Sequence, residues 1–164
     1  MKLLDKIEML EWIKIIIFSL LVILLFHWII WPIRVYGRSM EKTLYHNDFM
    51  IISKAITFIN PIENGDIIVI EVPMDDKEAL AVKRIIGVSG DHVIIKDEDV
   101  YVNGIKINED YILGKTYGDI DTIVENGYVF VLGDNRQISK DSRDFGSIPL
   151  NKIRGKVIVN FRFM

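Results

Sequence analysis

Apolar and polar positions follow two different rhythms along this chain. From Ile15 to Ile33 there are 19 residues without a charge, and beyond them apolar residues come in short runs separated by Gly, Asn, Asp and Pro. As a helix, the first run would span roughly 28 Å at 1.5 Å per residue, close to the hydrocarbon thickness of a bilayer. Trp12 lies at one end and Trp28 and Trp31 at the other, as interfacial aromatic belts do, and Pro32 with Gly37 ends the helix. The pattern predicts a single transmembrane anchor over residues 15–33, with a short N-terminal segment over 1–14 and a β-rich domain over 34–164. A cleavable signal peptide does not fit, because Trp31-Pro32-Ile33-Arg34-Val35-Tyr36 offers no small-x-small exit. A buried core helix does not fit either, since a helix apolar all round has too little domain here to cover it.

After the anchor, strands are expected at Phe49–Ser53, Asp66–Val72, Ala79–Val88, His92–Lys96, Val100–Ile107, Tyr128–Leu132 and Lys156–Phe163, where β-branched and aromatic residues concentrate. Asn103-Gly104 between Tyr101-Val102 and Ile105-Lys106 signals a two-residue hairpin. Residues 115–126 are polar and poorly patterned, so a loop is expected there. No amphipathic crossover helix intervenes. The fold class read from the pattern is therefore mainly β, a coiled or barrel-like sheet behind one N-terminal helix.

Composition narrows the function classes. Half of the 164 residues are hydrophobic and the mean hydropathy is +0.25, greasier than a soluble domain and consistent with the anchor. The net charge of −3 gives no sign of a nucleic-acid surface. The chain has no cysteine, which excludes disulfides, thiol catalysis and thiolate metal sites. His27, His46 and His92 are scattered and show no metal-ligand spacing. Charge does not orient the anchor, because Lys2, Lys6 and Lys14 on one side face Arg34, Arg38 and Lys42 on the other.

Three places could carry chemistry. Gly133–Gly146 packs charged and hydroxyl groups directly after an apolar run; its Gly-Asp-Asn opening is a turn signal, and Asp134, Asp141, Arg136 and Arg143 could satisfy one another in a partly buried network. Lys83 lies in an apolar strand, on the face of Ala81 and Ile85, while Arg84 shares the opposite face with Val82 and Ile86. One of these two cations must meet apolar surroundings. If it is Lys83, desolvation lowers its pKa toward the range of a general base; the alternative is an edge lysine that snorkels to water. Ser39, between Arg38 and Met40, follows Ile33 by six residues, no more than about 20 Å of extended chain.

In the order Ser-Met, strand lysine and Gly-Asp-Asn loop, these features resemble the type I signal peptidases, membrane serine proteases of bacteria. Ser39-Met40-Glu41-Lys42-Thr43-Leu44 is similar to the nucleophile box and Gly65-Asp66-Ile67-Ile68-Val69 to the next. Lys83-Arg84-Ile85-Ile86-Gly87-Val88-Ser89-Gly90-Asp91 is similar to the base box, and Gly133–Gly146 to the last. The short chain with one anchor and Gly37 looks more like Gram-positive members. The resemblance implies Ser39 as nucleophile, Lys83 as general base, Ser139 orienting the Lys83 amine, and the Ser39 backbone N–H in the oxyanion hole. It implies structural ion pairs among Arg84, Asp134, Asp141 and Arg143, and no cofactor or metal. The implied activity is removal of signal peptides from exported preproteins after small-x-small sites such as Ala-x-Ala. Implied partners are preprotein signal peptides, the phospholipid membrane and, one step earlier, the Sec translocon, with no nucleic acid. The implied location is the cell membrane, single-pass, with a cytoplasmic N-terminus and an extracytoplasmic catalytic domain.

One position departs from the family pattern: Lys42 stands where proline is usual. Other readings are a peptidase specialised for pilin-like or surface-protein assembly, a self-cleaving repressor-type or mitochondrial inner-membrane peptidase, and a non-catalytic paralogue that binds signal peptides. The last would be expected to lack Ser39 or Lys83, and both are present.

Overall fold

The structure, a computed structural model, describes residues 2–53, 55, 57, 61–74 and 77–161, without the side chains of 2–7, 25, 27, 28, 73, 74, 77 and 78. The expected strand end at Phe163 and the Lys2, Lys6, His27 and Trp28 side chains lie outside the described residues. The chain divides into two units, Met1–Trp31 and Pro32–Met164.

The first unit is the helix α1, Lys2–Ile29. Apolar side chains such as Trp12, Ile16, Phe18, Leu21, Ile23 and Phe26 are exposed around the helix, and Lys14 pairs with Glu11 at 2.8 Å. The helix stops earlier than the sequence suggests: Trp31–Arg34 is a strand, β1. Proline at 32 removes a donor and disfavours helical conformation at Trp31, so the last helical bond is Ile30 N–H to the Phe26 carbonyl, at 2.9 Å. The uncharged helical stretch is thus residues 15–29, about 22 Å long. Among the described residues, no helix is long and apolar enough to cross a membrane.

The second unit is mainly β. Its strands are β2 (Phe49–Ser53), β3 (Ile67–Met74), β4 (Lys77–Val88), β5 (His92–Lys96), β6 (Asp99–Val102), β7 (Ile105–Lys106), β8 (Ile120–Ile123), β9 (Tyr128–Leu132), β10 (Ile148–Pro149) and β11 (Ile153–Phe161). They form a seven-stranded sheet in the order β1-β2-β11-β3-β4-β9-β10 and a four-stranded sheet in the order β7-β6-β5-β8. The expected barrel-like sheet is therefore two sheets, each with its own edges. β8 lies in the stretch expected to be loop, and β6 and β7 flank the expected turn, where Asn103 and Gly104 both take positive φ, 53° and 79°.

Alternation along the central strands makes the core. Ile68, Ile70 and Val72 of β3 pack with Ile85, Val129, Val131, Ile148 and Ile153 on one face of the large sheet; Val69 faces the other way, into a cluster with Val35, Met40, Leu44, Met50 and Ile52. A register shift between Ile85 and Gly87 marks a bulge in β4, whose pairing with β9 continues at Gly87–Phe130 and Val88–Val129. At the bulge, Ile86 joins the small sheet's cluster with Val93, Ile95, Val100 and Phe130. A Cβ at Gly87 would lie 2.6 Å from Val93 Cγ2, so only glycine lets the two sheets meet there.

Candidate active site

Lys83 is opposite Ile68 in the β3–β4 register and is 3% exposed, on the apolar face with Ile85. Arg84, its neighbour, looks the other way with its side chain 12% exposed. Lys83 is therefore the buried cation of the pair. Burial pushes its amine down from 10.5 to about 8; Asp141, Asp144 and Asp134 oppose that shift, and Arg143 adds to it. The amine donates to Ser139 Oγ at 2.8 Å, inside the protein.

Ser39 sits in the turn between β1 and β2. The turn is anchored from below, because Met40 and Leu44 are buried in the core and both Thr43 and Leu44 N–H donate to the Met40 carbonyl, at 3.0 and 2.8 Å. It is anchored from the side too. The Ser39 carbonyl accepts from Asn135 N–H at 2.9 Å, and Thr43 Oγ1 donates to Asp134 Oδ2 at 2.5 Å. Half-buried Ser39 and buried Lys83 line one cavity of about 350 Å³, whose other walls include Val35, Met40, Ala81 and Phe145.

The loop after β9 brings these parts together. Gly133 N–H and Val131 N–H donate to Asp141 Oδ2 and Ser142 Oγ, at 3.0 and 2.9 Å, folding 139–142 back against the strand. Asp141 then caps the short helix α2, Ser142–Phe145, in a reciprocal box with Asp144. Burial would raise the Asp141 carboxyl, but the Arg143 guanidinium and the Gly133 N–H outweigh it and hold it below its usual value. Arg143 grips Asp141 with two bonds, at 2.8 and 2.9 Å, and also donates to the Ser139 carbonyl at 3.3 Å. Arg84 grips Asp134 the same way, at 2.9 and 2.7 Å. Both pairs are forked, and one member of each is fully buried.

The structure brings the sequence-derived residues into one region: Ser39 and Lys83 line the cavity, Ser139 is bonded to Lys83 behind it, and the Arg84–Asp134 and Arg143–Asp141 pairs lie alongside. It corrects one pairing. Arg136 does not join Asp134 or Asp141; it pairs with Glu109 and bonds to Thr116 and to the Gly133 carbonyl. Glu109 is 27 residues upstream in a segment without pattern, so no local signal marks it.

Gly133 was legible as a turn residue, but its main role is proximity. A Cβ there would lie 2.1 Å from Ser139 Oγ and 2.6 Å from the Ser39 carbonyl oxygen, so a bare backbone is what lets both serines approach. Thr43 and Tyr111, whose ring lies 4.0 Å beneath the Arg84 guanidinium, complete the surroundings.

Known proteins resemble this chain over most of its length. Residues 9–162 match the family described as signal peptidase, peptidase S26. The chain is 36% identical over 163 residues to signal peptidase I of Bacillus licheniformis, covering 92% of this chain and 87% of that one. It is 40% identical over 142 residues to signal peptidase I of Bacillus caldolyticus, covering 77% and 75%. With signal peptidase IB of Staphylococcus aureus the identity is 34% over 178 residues, covering 96% and 91%. A crystal structure of a signal peptidase I from Enterococcus faecalis superposes with a TM-score of 0.53 and 30% identity, covering 61% of this chain and 98% of that one.

Proposed function

Because the chain belongs to the signal peptidase family, peptidase S26, we propose that it is an endopeptidase that removes signal peptides after small-x-small sites, with Ser39 as nucleophile and Lys83 as general base. The observation that carries the proposal is Lys83: a lysine 3% exposed, sharing an apolar cavity with a serine, with its pKa lowered to about 8. A neutral amine can accept a proton, and burial makes that form accessible near physiological pH.

The chemistry follows from those atoms. The Ser39 hydroxyl passes its proton to Lys83 Nζ as Oγ bonds to the scissile carbonyl carbon, and the Ser39 backbone N–H donates to the oxygen that becomes negative. The intermediate collapses, the carbon–nitrogen bond breaks, and the Lys83 ammonium returns the proton to the departing amine. Water then attacks the Ser39 ester, losing its proton to Lys83; the ester carbon–oxygen bond breaks, Ser39 Oγ takes that proton back from the Lys83 ammonium, and the signal peptide leaves with a new carboxylate. Ser139 keeps the amine aimed by accepting one of its hydrogens. The apolar walls from Val35, Met40 and Ala81 suit small side chains beside the cut.

Purified protein in detergent, given a peptide with an Ala-x-Ala site, is expected to cut after the second alanine; an uncut peptide would overturn the proposal. Ser139→Ala is expected to lower kcat by about 10- to 100-fold while KM stays within about threefold, because only the aim of the amine is lost. Steady-state kinetics on the same peptide check that split.

The same reading makes α1 and the residues after it a single membrane anchor, with 34–164 outside the cytoplasm. What supports it is the uncharged stretch from Ile15 to Ile33, the exposed apolar side chains around the helix, and a Lys14–Glu11 pair at one end that can extend to the interface. Protease added to intact, wall-stripped cells should digest the domain beyond Ile33. Digestion only after lysis would reverse the topology.

A further inference from the structure

We propose that Glu109–Tyr111 is a clamp that positions the reacting groups, and that Lys42 is its grip on the nucleophile turn. The inference rests on the reading of Ser39 and Lys83 given above. Each of these three consecutive residues holds a cation from a different part of the site. The Glu109 carboxylate binds the guanidinium of buried Arg136, in the loop that carries Ser139. The Asp110 carbonyl accepts from Lys42 Nζ, three residues after Ser39. The Tyr111 ring lies 4.0 Å under the guanidinium of Arg84, next to Lys83. The segment is fixed further by Leu113, whose N–H donates to the Asp134 carbonyl at 2.8 Å and whose own carbonyl accepts from Arg136 N–H at 3.0 Å.

Lys42 is the contact made by the residue that departs from the family pattern. Its φ is +104°, a left-handed conformation that side-chain-bearing residues rarely adopt. The turn is held in that shape at both flanks, by Met40 and Leu44 in the core and Thr43 on Asp134, and across the top by the Lys42–Asp110 bond. Proline, usual at this position in the resemblance described above, locks φ at about −65° and has no side-chain donor. It cannot occupy this turn as built. Here a flexible residue tied down by its ammonium group does the work of fixing the turn, and the tie runs to the same clamp that holds the other two parts.

The test is steady-state cleavage of an Ala-x-Ala peptide by the full chain in detergent, with Lys42→Ala, Lys42→Arg and Lys42→Pro. Lys42→Ala should lower kcat about 5- to 30-fold with KM within about twofold, since misplacement of the nucleophile by a fraction of an ångström acts on the chemical step. Lys42→Arg should recover most of that loss, because a guanidinium can also donate to the carbonyl. Lys42→Pro should be worse than Lys42→Ala. The pH at which activity rises should be the same in the wild type and Lys42→Ala. A wild-type kcat in Lys42→Ala, an effect confined to KM, a shifted pH midpoint or full activity in Lys42→Pro would each overturn the clamp. Those outcomes leave wild-type cleavage and its loss in Ser39→Ala intact, so they are distinct from failure of the proposed function.

Discussion

Lys83→Arg is expected to fold and to lose cleavage by at least about 1000-fold, as completely as Lys83→Ala or Ser39→Ala. Arginine keeps the charge but cannot give up its proton at any pH where the protein is folded, so it cannot accept the one from Ser39. Lys83→Met tests the same step without an added buried charge, since its side chain is close in length and suits the apolar face with Ile85. If Ser39 and Lys83 act as a unit, Ser39→Ala combined with Lys83→Met should be no worse than either alone. Peptide cleavage measured beside a urea unfolding curve separates lost chemistry from lost fold. Retained turnover in Lys83→Arg would mean another residue takes the proton.

Gly133→Ala is expected to cost nearly as much, by a different route. The new methyl would lie 2.1 Å from Ser139 Oγ and 2.6 Å from the Ser39 carbonyl oxygen, closer than any real contact. The second neighbour is backbone and cannot rotate away. Either the nucleophile turn or the 133–141 loop must shift, breaking the Asn135–Ser39 bond at 2.9 Å or the Ser139–Lys83 bond at 2.8 Å. A fall in kcat of about 100-fold or more is expected, because displacements near 1 Å cost that much in a preorganised site. Stability should drop by about 1–3 kcal/mol from overpacking. Kinetics together with a denaturation midpoint check both. An active, stable Gly133→Ala would show that the two serines need not be so close.

Much of this was legible in the sequence where pattern is local. Phe49–Ser53, His92–Lys96 and Tyr128–Leu132 form strands with the expected bounds, since each is a dense run of β-branched and aromatic residues. Strand alternation put Lys83 and Arg84 on opposite faces, but only packing decides which face is dry. Ile120–Ile123 was hidden because it is a four-residue edge strand set among polar residues, and helix α2 because it has only four residues. Pro32 was legible as the helix breaker, but the helix already ends at Ile29, because Trp31–Arg34 is taken up as a strand. The boxes singled out Ser39, Lys83 and Ser139 as candidates, yet nothing local could assign Arg136 to Glu109 or show how close Gly133 lies to both serines, since both depend on segments brought together by the fold.

The lowered Lys83 pKa also has a consequence for stability. Between about 8 and 10.5 the unfolded chain holds a proton on this amine that the folded protein lacks. Stability should therefore fall as pH drops through that window and level off below about 8, by about 3 kcal/mol in all at 1.36 kcal/mol per unit. Lys83→Met should lack that slope, so the difference between its urea unfolding curves and those of the wild type isolates it.

The pH dependence of kcat/KM reports the free enzyme's base directly. For the wild type acting on an Ala-x-Ala peptide in detergent, activity should rise with pH along a single limb whose midpoint lies near 8, the value burial imposes on Lys83. A limb centred near 10.5, the value of a solvated lysine, would contradict the account, as would the same limb persisting in Lys83→Met.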